Sequence, residues 1–198
     1  NVAEMAPLKK KIILDYLKNH KINLKEINAV MGRGGLTKHT ESGTFYVNAA
    51  MLKDLREGFL GIHPCNLGGI LAHEIAKEAG CAAMITDPEV VNEMYPEAQY
   101  TGMPNLQRIP IFHALSQRRV AFHTAEKLNK PYEECRFVIM HAGGGITIGT
   151  HINGKIVDVT NGLDGEGPMT PQRSGTLPTG AFARLCYSGI YTRPQMAL

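Results

Sequence analysis

The sequence has few cysteines and spaces them widely. Cys65, Cys81, Cys135 and Cys186 are its four, and no two form a C-x-x-C pair. A disulfide framework and a structural zinc knuckle are therefore not expected, and reduced thiols in a cytosolic protein are the plain reading. No run of 18 apolar residues occurs, so no transmembrane helix is expected. No basic start leads into an apolar core and a small-residue cleavage site, so nothing marks the chain for secretion. Charge of one sign is also scarce. Lys and Arg number 21 against 18 Asp and Glu, a formal net charge of +3, and this scattered balance does not argue for nucleic-acid binding. Several catalytic signatures are missing. His73-Glu74 lacks a second histidine at the H-E-x-x-H spacing, because position 77 is Lys77. There is no G-x-S-x-G elbow and no P-loop.

What remains is ordinary globular material: 198 residues, 43% hydrophobic and 20% charged. That is enough for a sizeable core in one large domain or two small ones. Met5, Leu8, Ile12, Ile13, Tyr16 and Leu17 recur at helical spacing and predict an amphipathic helix over 3–19. Residues 27–31 read as a strand leaving into Gly32-Arg33-Gly34-Gly35, and 36–47 as an ordered loop. Helices are expected over 48–60 and 66–79, the second with Asn66 as N-cap and ending near Gly80. Residues 81–87 read as a buried strand ending at Asp87-Pro88. The aperiodic stretch 95–108 marks a boundary, giving 1–95 and 96–198 as two parts. A long helix is expected over 109–129 with Pro110 in its first turn. After it come strands at 136–140, 146–152 and 155–160. The first two are joined by His141-Ala142-Gly143-Gly144-Gly145 and the last two by the hairpin signal Asn153-Gly154. A polar loop over 161–180 and a helix over 181–188 with Gly189 as its stop complete the chain.

Three segments carry chemistry. Successive backbone N–H groups at a triple glycine make an anion cradle, but the same triplet also suits a hairpin that needs positive φ. His141, directly before it, can donate to a phosphate oxygen. Arg173 presents a planar fork suited to phosphoryl oxygens, or pairs on the surface with Asp164 or Glu166. Arg33 sits between glycines at a strand end, where α/β sheets bind ligands, or lies in a solvated turn. His63 precedes a helix start and His113 opens the long helix.

Taken together, GRGGL (32–36), NLGGILAHEIAKEAG (66–80), ITDPEVVNEM (85–94), IFHALSQRRVA (111–121), the stretch 141–180 and LCYSGIYT (185–192) resemble the butyrate kinases and branched-chain fatty acid kinases. These belong to the acetate kinase family of the actin-like ATPase superfamily. The resemblance implies an α/β, partial two-lobe ribonuclease-H-like fold with mixed sheets. It implies transfer of the γ-phosphoryl group of ATP, with Mg, to a short-chain, butyrate-like carboxylate, giving an acyl phosphate reversibly. By the same resemblance Arg173, His113 and Asp87 are catalytic, Asp87 lying near magnesium. His141, Gly143, Gly144 and Gly145 bind phosphate, and Arg33, although offset from the family's arginine, and His63 bind substrate. It further implies a cytoplasmic homo-oligomer of fatty acid metabolism, with no nucleic-acid or membrane partner. Family members begin with a first phosphate loop and end with an adenosine loop. Neither is present, so the chain is expected to be a central piece of a longer kinase with little activity alone. The competing readings are a non-catalytic module that binds phosphate or a partner, and a sugar kinase or chaperone-like ATPase. The order RGG, FHA, RSG disfavours the latter.

Overall fold

The computed structural model describes residues 2–196. The chain divides into two compact units. One takes in the chain up to Glu93 together with His113–Arg119, and the other Met94–Phe112 with everything from Val120 on. Among the described residues no helix is long and apolar enough to cross a membrane.

In the first unit, helix α1 (Val2–Asn19) leads to strand β1 (Ala29–Gly32). The helix turns its line Ala6, Lys10, Ile13 and Leu17 away from solvent and leaves Met5, Leu8, Ile12 and Tyr16 exposed. Lys10 lies on the inward line because Glu78 and Glu74 receive its ammonium at 2.6 and 3.8 Å. The apolar stripe legible in the sequence is thus only partly the packed one.

The segment expected to be loop over 36–47 contains a short strand, β2 (Thr44–Tyr46). It escapes a period-based reading because it is three residues long and flanked by polar turns. Helix α2 (Ala49–Glu57) starts on Asn48, whose side chain accepts Met51 N–H. It ends at Glu57, three residues before the expected end at 60, with Gly58 in the left-handed region as its cap. Helix α3 (Leu67–Ala79) ends at Gly80, also left-handed, and strand β3 (Ala82–Thr86) follows. The sheet order is β1-β3-β2, with β1 parallel and β2 antiparallel to β3. Leu52, Leu55, Leu67, Ile70 and Ala6 form one core cluster.

Close glycine packing fixes where α3 meets β1. A Cβ on Gly32 would lie 2.3 Å from Gly68 O, and one on Gly68 would lie 3.1 Å from Arg33 N. The glycines of GRGG and NLGG are therefore needed to let two backbones touch.

Helix α4 (Ala114–Lys127) begins five residues later than expected. Residues 109–112 instead lie outside any helix or strand, and two of their carbonyls are used elsewhere: Ile109 O accepts Asn161 Nδ2 at 3.0 Å and Ile111 O accepts Gly162 N–H at 2.9 Å. In the second unit, β4 (Arg136–Ala142), β5 (Ile146–Ile152) and β6 (Lys155–Val159) form an antiparallel meander in that order. Asn153 and Gly154 both take positive φ at the hairpin, as a two-residue turn requires. Ala121, Ala125, Tyr132, Cys135 and Ile139 form its core cluster. Helices α5 (Thr179–Cys186) and α6 (Arg193–Met196) follow the long loop.

Candidate functional site

The residues singled out in the sequence lie on both units: Arg33, His63, Asp87 and His113 on the first, His141, Gly143, Gly144, Gly145 and Arg173 on the second.

In the first unit the GRGG loop is pinned from below by two buried polar side chains. Glu89 Oε2 accepts Gly35 N–H at 2.9 Å, and Asn66 Oδ1 accepts Leu36 N–H at 3.0 Å. Asn66 is fully buried. Its amide also donates to Leu55 O and Gly61 O, each at 3.1 Å. It is not an N-cap: its backbone is already helical and its side chain makes no cap bond. The capping belongs instead to His63, whose Nδ1 accepts Cys65 N–H at the start of the 3-10 turn Pro64–Asn66. His63 Nδ1 also lies 3.0 Å from Cys65 Sγ. Burial, helped by the charge of Glu89, pushes the Cys65 thiol up to about 12, so it stays protonated and unreactive at neutral pH.

Arg33 is exposed and its Nε lies 3.3 Å from Glu89 Oε1. Burial raises the Glu89 carboxyl above its ordinary range, opposed by backbone hydrogen bonds and by Arg33. Asp87 stands at φ +40° just past the end of β3. One carboxylate oxygen accepts Gly43 N–H at 2.8 Å, and the other lies 3.2 Å from Arg118 Nε. Arg118 Nη1 reaches Glu93 Oε2 at 3.9 Å. Burial raises Asp87 as well, while Arg118 and Gly43 N–H pull the other way. Both Asp87 oxygens are thus engaged, and among the described residues no three His, Cys, Asp or Glu side chains gather to hold a metal ion. His113 directly precedes α4 and its carbonyl accepts Gln117 N–H at 3.0 Å.

In the second unit the loop 161–180 is organised by its own polar residues. Asn161 Oδ1 accepts Leu163 and Asp164 N–H, and its amide donates to Asp164 Oδ2. Glu166 takes Asn161 N–H at 2.7 Å and Arg108 Nε at 2.5 Å. Arg108 further donates to Asp158, Ala98 O and Val159 O. The two acids considered as partners of Arg173 are therefore engaged with other residues. Arg173 itself has no ion-pair partner among the described residues. It is half-buried in the wall of a cavity of about 970 Å³, shared with Asp164, Gln172, Ser174, Leu177 and Phe182.

The triglycine turn joins β4 to β5. Gly143 N–H donates to Gly145 O at 3.0 Å, and a Cβ on Gly143 would lie 3.2 Å from His141 Nε2. Neither Gly143 nor Gly144 takes positive φ, so the handedness of the turn is not what requires glycine there. A Cβ on Gly144 would come within 2.8 Å of the carboxamide end of Gln172, an exposed side chain that can swing aside to admit it. The turn itself is not part of the cavity lining. Gln172 is, and it brings the turn's edge to the wall that holds Arg173.

A model of the acetokinase family matches residues 96–187, a span that includes the triglycine turn, Gln172 and Arg173. A probable butyrate kinase from Elusimicrobium minutum (strain Pei191) is 54% identical over 195 residues, covering 98% of this chain and 53% of that protein. The chain belongs to the acetokinase family. Among solved structures it is similar to an acetate kinase from Porphyromonas gingivalis, with a TM-score of 0.77 and 25% identity over 95% of this chain and 51% of that one. A propionate kinase from Francisella tularensis subsp. tularensis SCHU S4 matches with a TM-score of 0.73 and 19% identity over 93% and 50% of the two chains. The fold is therefore the mixed α/β, actin-like ATPase fold of the acetokinases. The chain spans about half the length of the relatives it matches.

Sequence reasoning missed Asn66, Glu89, Arg118 and Gln172. All four sit inside the motifs singled out, but the partners that give them their roles lie far away in sequence: 30 positions separate Asn66 from Leu36 and 54 separate Glu89 from Gly35.

Proposed function

We propose that the full-length protein is a carboxylate kinase that moves the γ-phosphoryl group of ATP onto a short-chain, butyrate-like acid, reversibly. The observation that carries this reading is Arg173. It is a guanidinium without an ion-pair partner among the described residues, in the wall of a cavity, next in sequence to the side chain that covers the triglycine turn. The acetokinase family supports the reaction class.

A carboxylic acid with a pKa near 4–5 is ionised at neutral pH, so its oxygen attacks without a general base. One carboxylate oxygen forms a bond to the γ-phosphorus as the bond between that phosphorus and the β,γ-bridging oxygen breaks. ADP leaves with the bonding pair. Negative charge approaches negative charge, so the work of the protein is positioning and neutralisation. In this reading Arg173 meets the equatorial oxygens of the phosphoryl group. The N–H groups of Gly144 and Gly145 and the ring of His141 receive the nucleotide phosphates, with Gly143 N–H closing the turn on Gly145 O, and Asp87 and His113 complete the catalytic set. Arg33 and His63 face the acid. Magnesium accompanies the nucleotide, since it is ordinarily held largely by phosphates and water. A short alkyl tail gains only about 0.8 kcal/mol per methylene, so selectivity for chain length is loose.

The test is hydroxamate trapping of acyl phosphate made by the full-length protein from ATP and a panel of acids from acetate to valerate. The reading predicts product with butyrate and its neighbours, and none with Arg173→Ala. No product with any acid, or full turnover by a folded Arg173→Ala protein, refutes it.

A further inference from the structure

Gln172 touches both halves of the second unit's site. On one side its carboxamide lies against the triglycine turn, with Cδ and Oε1 2.8 Å and Nε2 3.0 Å from where a Cβ of Gly144 would stand. On the other side it lines the cavity with Arg173. The side chain is delivered by a stiff arm. Thr170 N–H donates to Arg173 O at 2.9 Å, and Arg173 N–H donates back to Thr170 O at 3.4 Å. Pro171 and Gln172 occupy the two central positions, and proline presets the first of them. Gln172 N–H is held by Thr170 Oγ1 at 3.2 Å. Behind the arm, Gly175 turns the chain at φ +73°, where a Cβ would meet Met169 N at 2.5 Å. An exposed glutamine on an unconstrained loop would sample many rotamers. Here the backbone beneath it is closed on both sides, and a bare glycine leaves it a seat.

We infer that Gln172 is a positioning residue of the phosphoryl-transfer site. It braces the triglycine turn by filling the space above Gly144, and so fixes the turn's N–H groups relative to the guanidinium of Arg173. The inference rests on the proposed function and deepens it. The brace works through shape: a side chain of the same length and width, without the amide, keeps the turn in place. Because the turn binds phosphate in the ground state and the transition state alike, loosening it weakens nucleotide binding more than it slows chemistry.

The experiment is steady-state kinetics on the full-length protein with Gln172→Ala, Gln172→Met, Gly144→Ala, the double variant of Gly144→Ala with Gln172→Ala, and Arg173→Ala. Gln172→Ala is expected to raise KM for ATP about tenfold with kcat held within about twofold. Gln172→Met is expected to bring KM back to within about twofold of the parent protein. Gly144→Ala displaces the glutamine's carboxamide from its seat on the turn, so its penalty is expected to be at least about threefold smaller when Gln172 is already alanine. An unchanged KM in Gln172→Ala, additive effects in the double variant, or a Gln172→Met protein as impaired as the alanine form each overturn the brace. Arg173→Ala separates the two levels. If it is inactive while Gln172→Ala is normal, only the brace falls. If it turns over normally, the phosphoryl site falls, and the brace with it.

Discussion

The two units treat their arginines in opposite ways. In the first, Arg118 lies between the carboxylates of Asp87 and Glu93, and Arg33 leans on Glu89. In the second, Arg108 gathers Asp158, Glu166 and two carbonyls, and by doing so leaves Arg173 without an acid. The difference teaches how a loop keeps a charge available. Glu166 is only seven residues from Arg173 and would quench it on the surface. Holding Glu166 with Arg108 and with Asn161 N–H removes that competitor. A partly buried arginine with a partner is architecture, and one whose potential partners are engaged elsewhere is open to a ligand.

The sharpest way to break this contrast is to delete one arginine of each kind. Arg173→Ala in the full-length protein is expected to lower kcat by about 10³-fold or more. It should leave stability within about 0.5 kcal/mol, as for a residue outside the packed network. Denaturant melts beside turnover measurements check both halves, and a destabilised but active variant would reverse its role. Arg118→Ala is expected to do the opposite first. It leaves Asp87 and Glu93 with little exposure and without their guanidinium, a loss of about 3–5 kcal/mol read from urea midpoints. A smaller loss is expected from Asn66→Ala, which strands Leu36 N–H and two carbonyls in the first unit's interior. About 2 kcal/mol follows from the usual penalty for buried unsatisfied groups.

The finest test of the contrast is pH. Asp87 and Glu89 both have carboxyl pKa values raised in the fold, chiefly by burial. The folded state therefore binds protons more readily than the unfolded chain. Over the window from the ordinary carboxylate pKa, near 4, up to the raised values, these two groups make stability rise as pH falls, and the gain is lost as pH rises through the folded pKa. Asp87→Asn with Glu89→Gln should flatten that slope in chemical melts run between pH 4 and 7. An unchanged slope would show that the paired cations cancel the effect of burial.

Much of the molecule was legible where the cause is local. Gly80 stops α3, Asn153-Gly154 turns the last hairpin, and the periods of α3 and of strands β4 to β6 place them within a residue or two. The failures share a different cause. Residues 109–112 look like a helix start, but their carbonyls are claimed by Asn161 and Gly162, some fifty positions on. Asn66 looks like a cap because it precedes a helix. Only the folded loop shows that its amide is inside, answering Leu36, Leu55 and Gly61. The triple glycine was legible as a cradle or a positive-φ turn. That no positive φ is needed, and that Gln172 lies over Gly144, became visible only in the fold. The sequence pointed to Arg173 and the glycines as chemistry-bearing groups, and it could not show what keeps the acids near Arg173 occupied.

The arm that carries Gln172 and Arg173 has a further consequence. Consecutive residues at a turn corner project to different sides, so a single short segment can press on one loop and furnish the wall of a hollow beside it. Adding or removing one residue between Thr170 and Arg173 would exchange those two duties, sending the cation toward the glycines and the neutral amide toward the hollow. Length in this corner is therefore under tighter constraint than composition, and insertions that surface loops elsewhere absorb would be ruinous here.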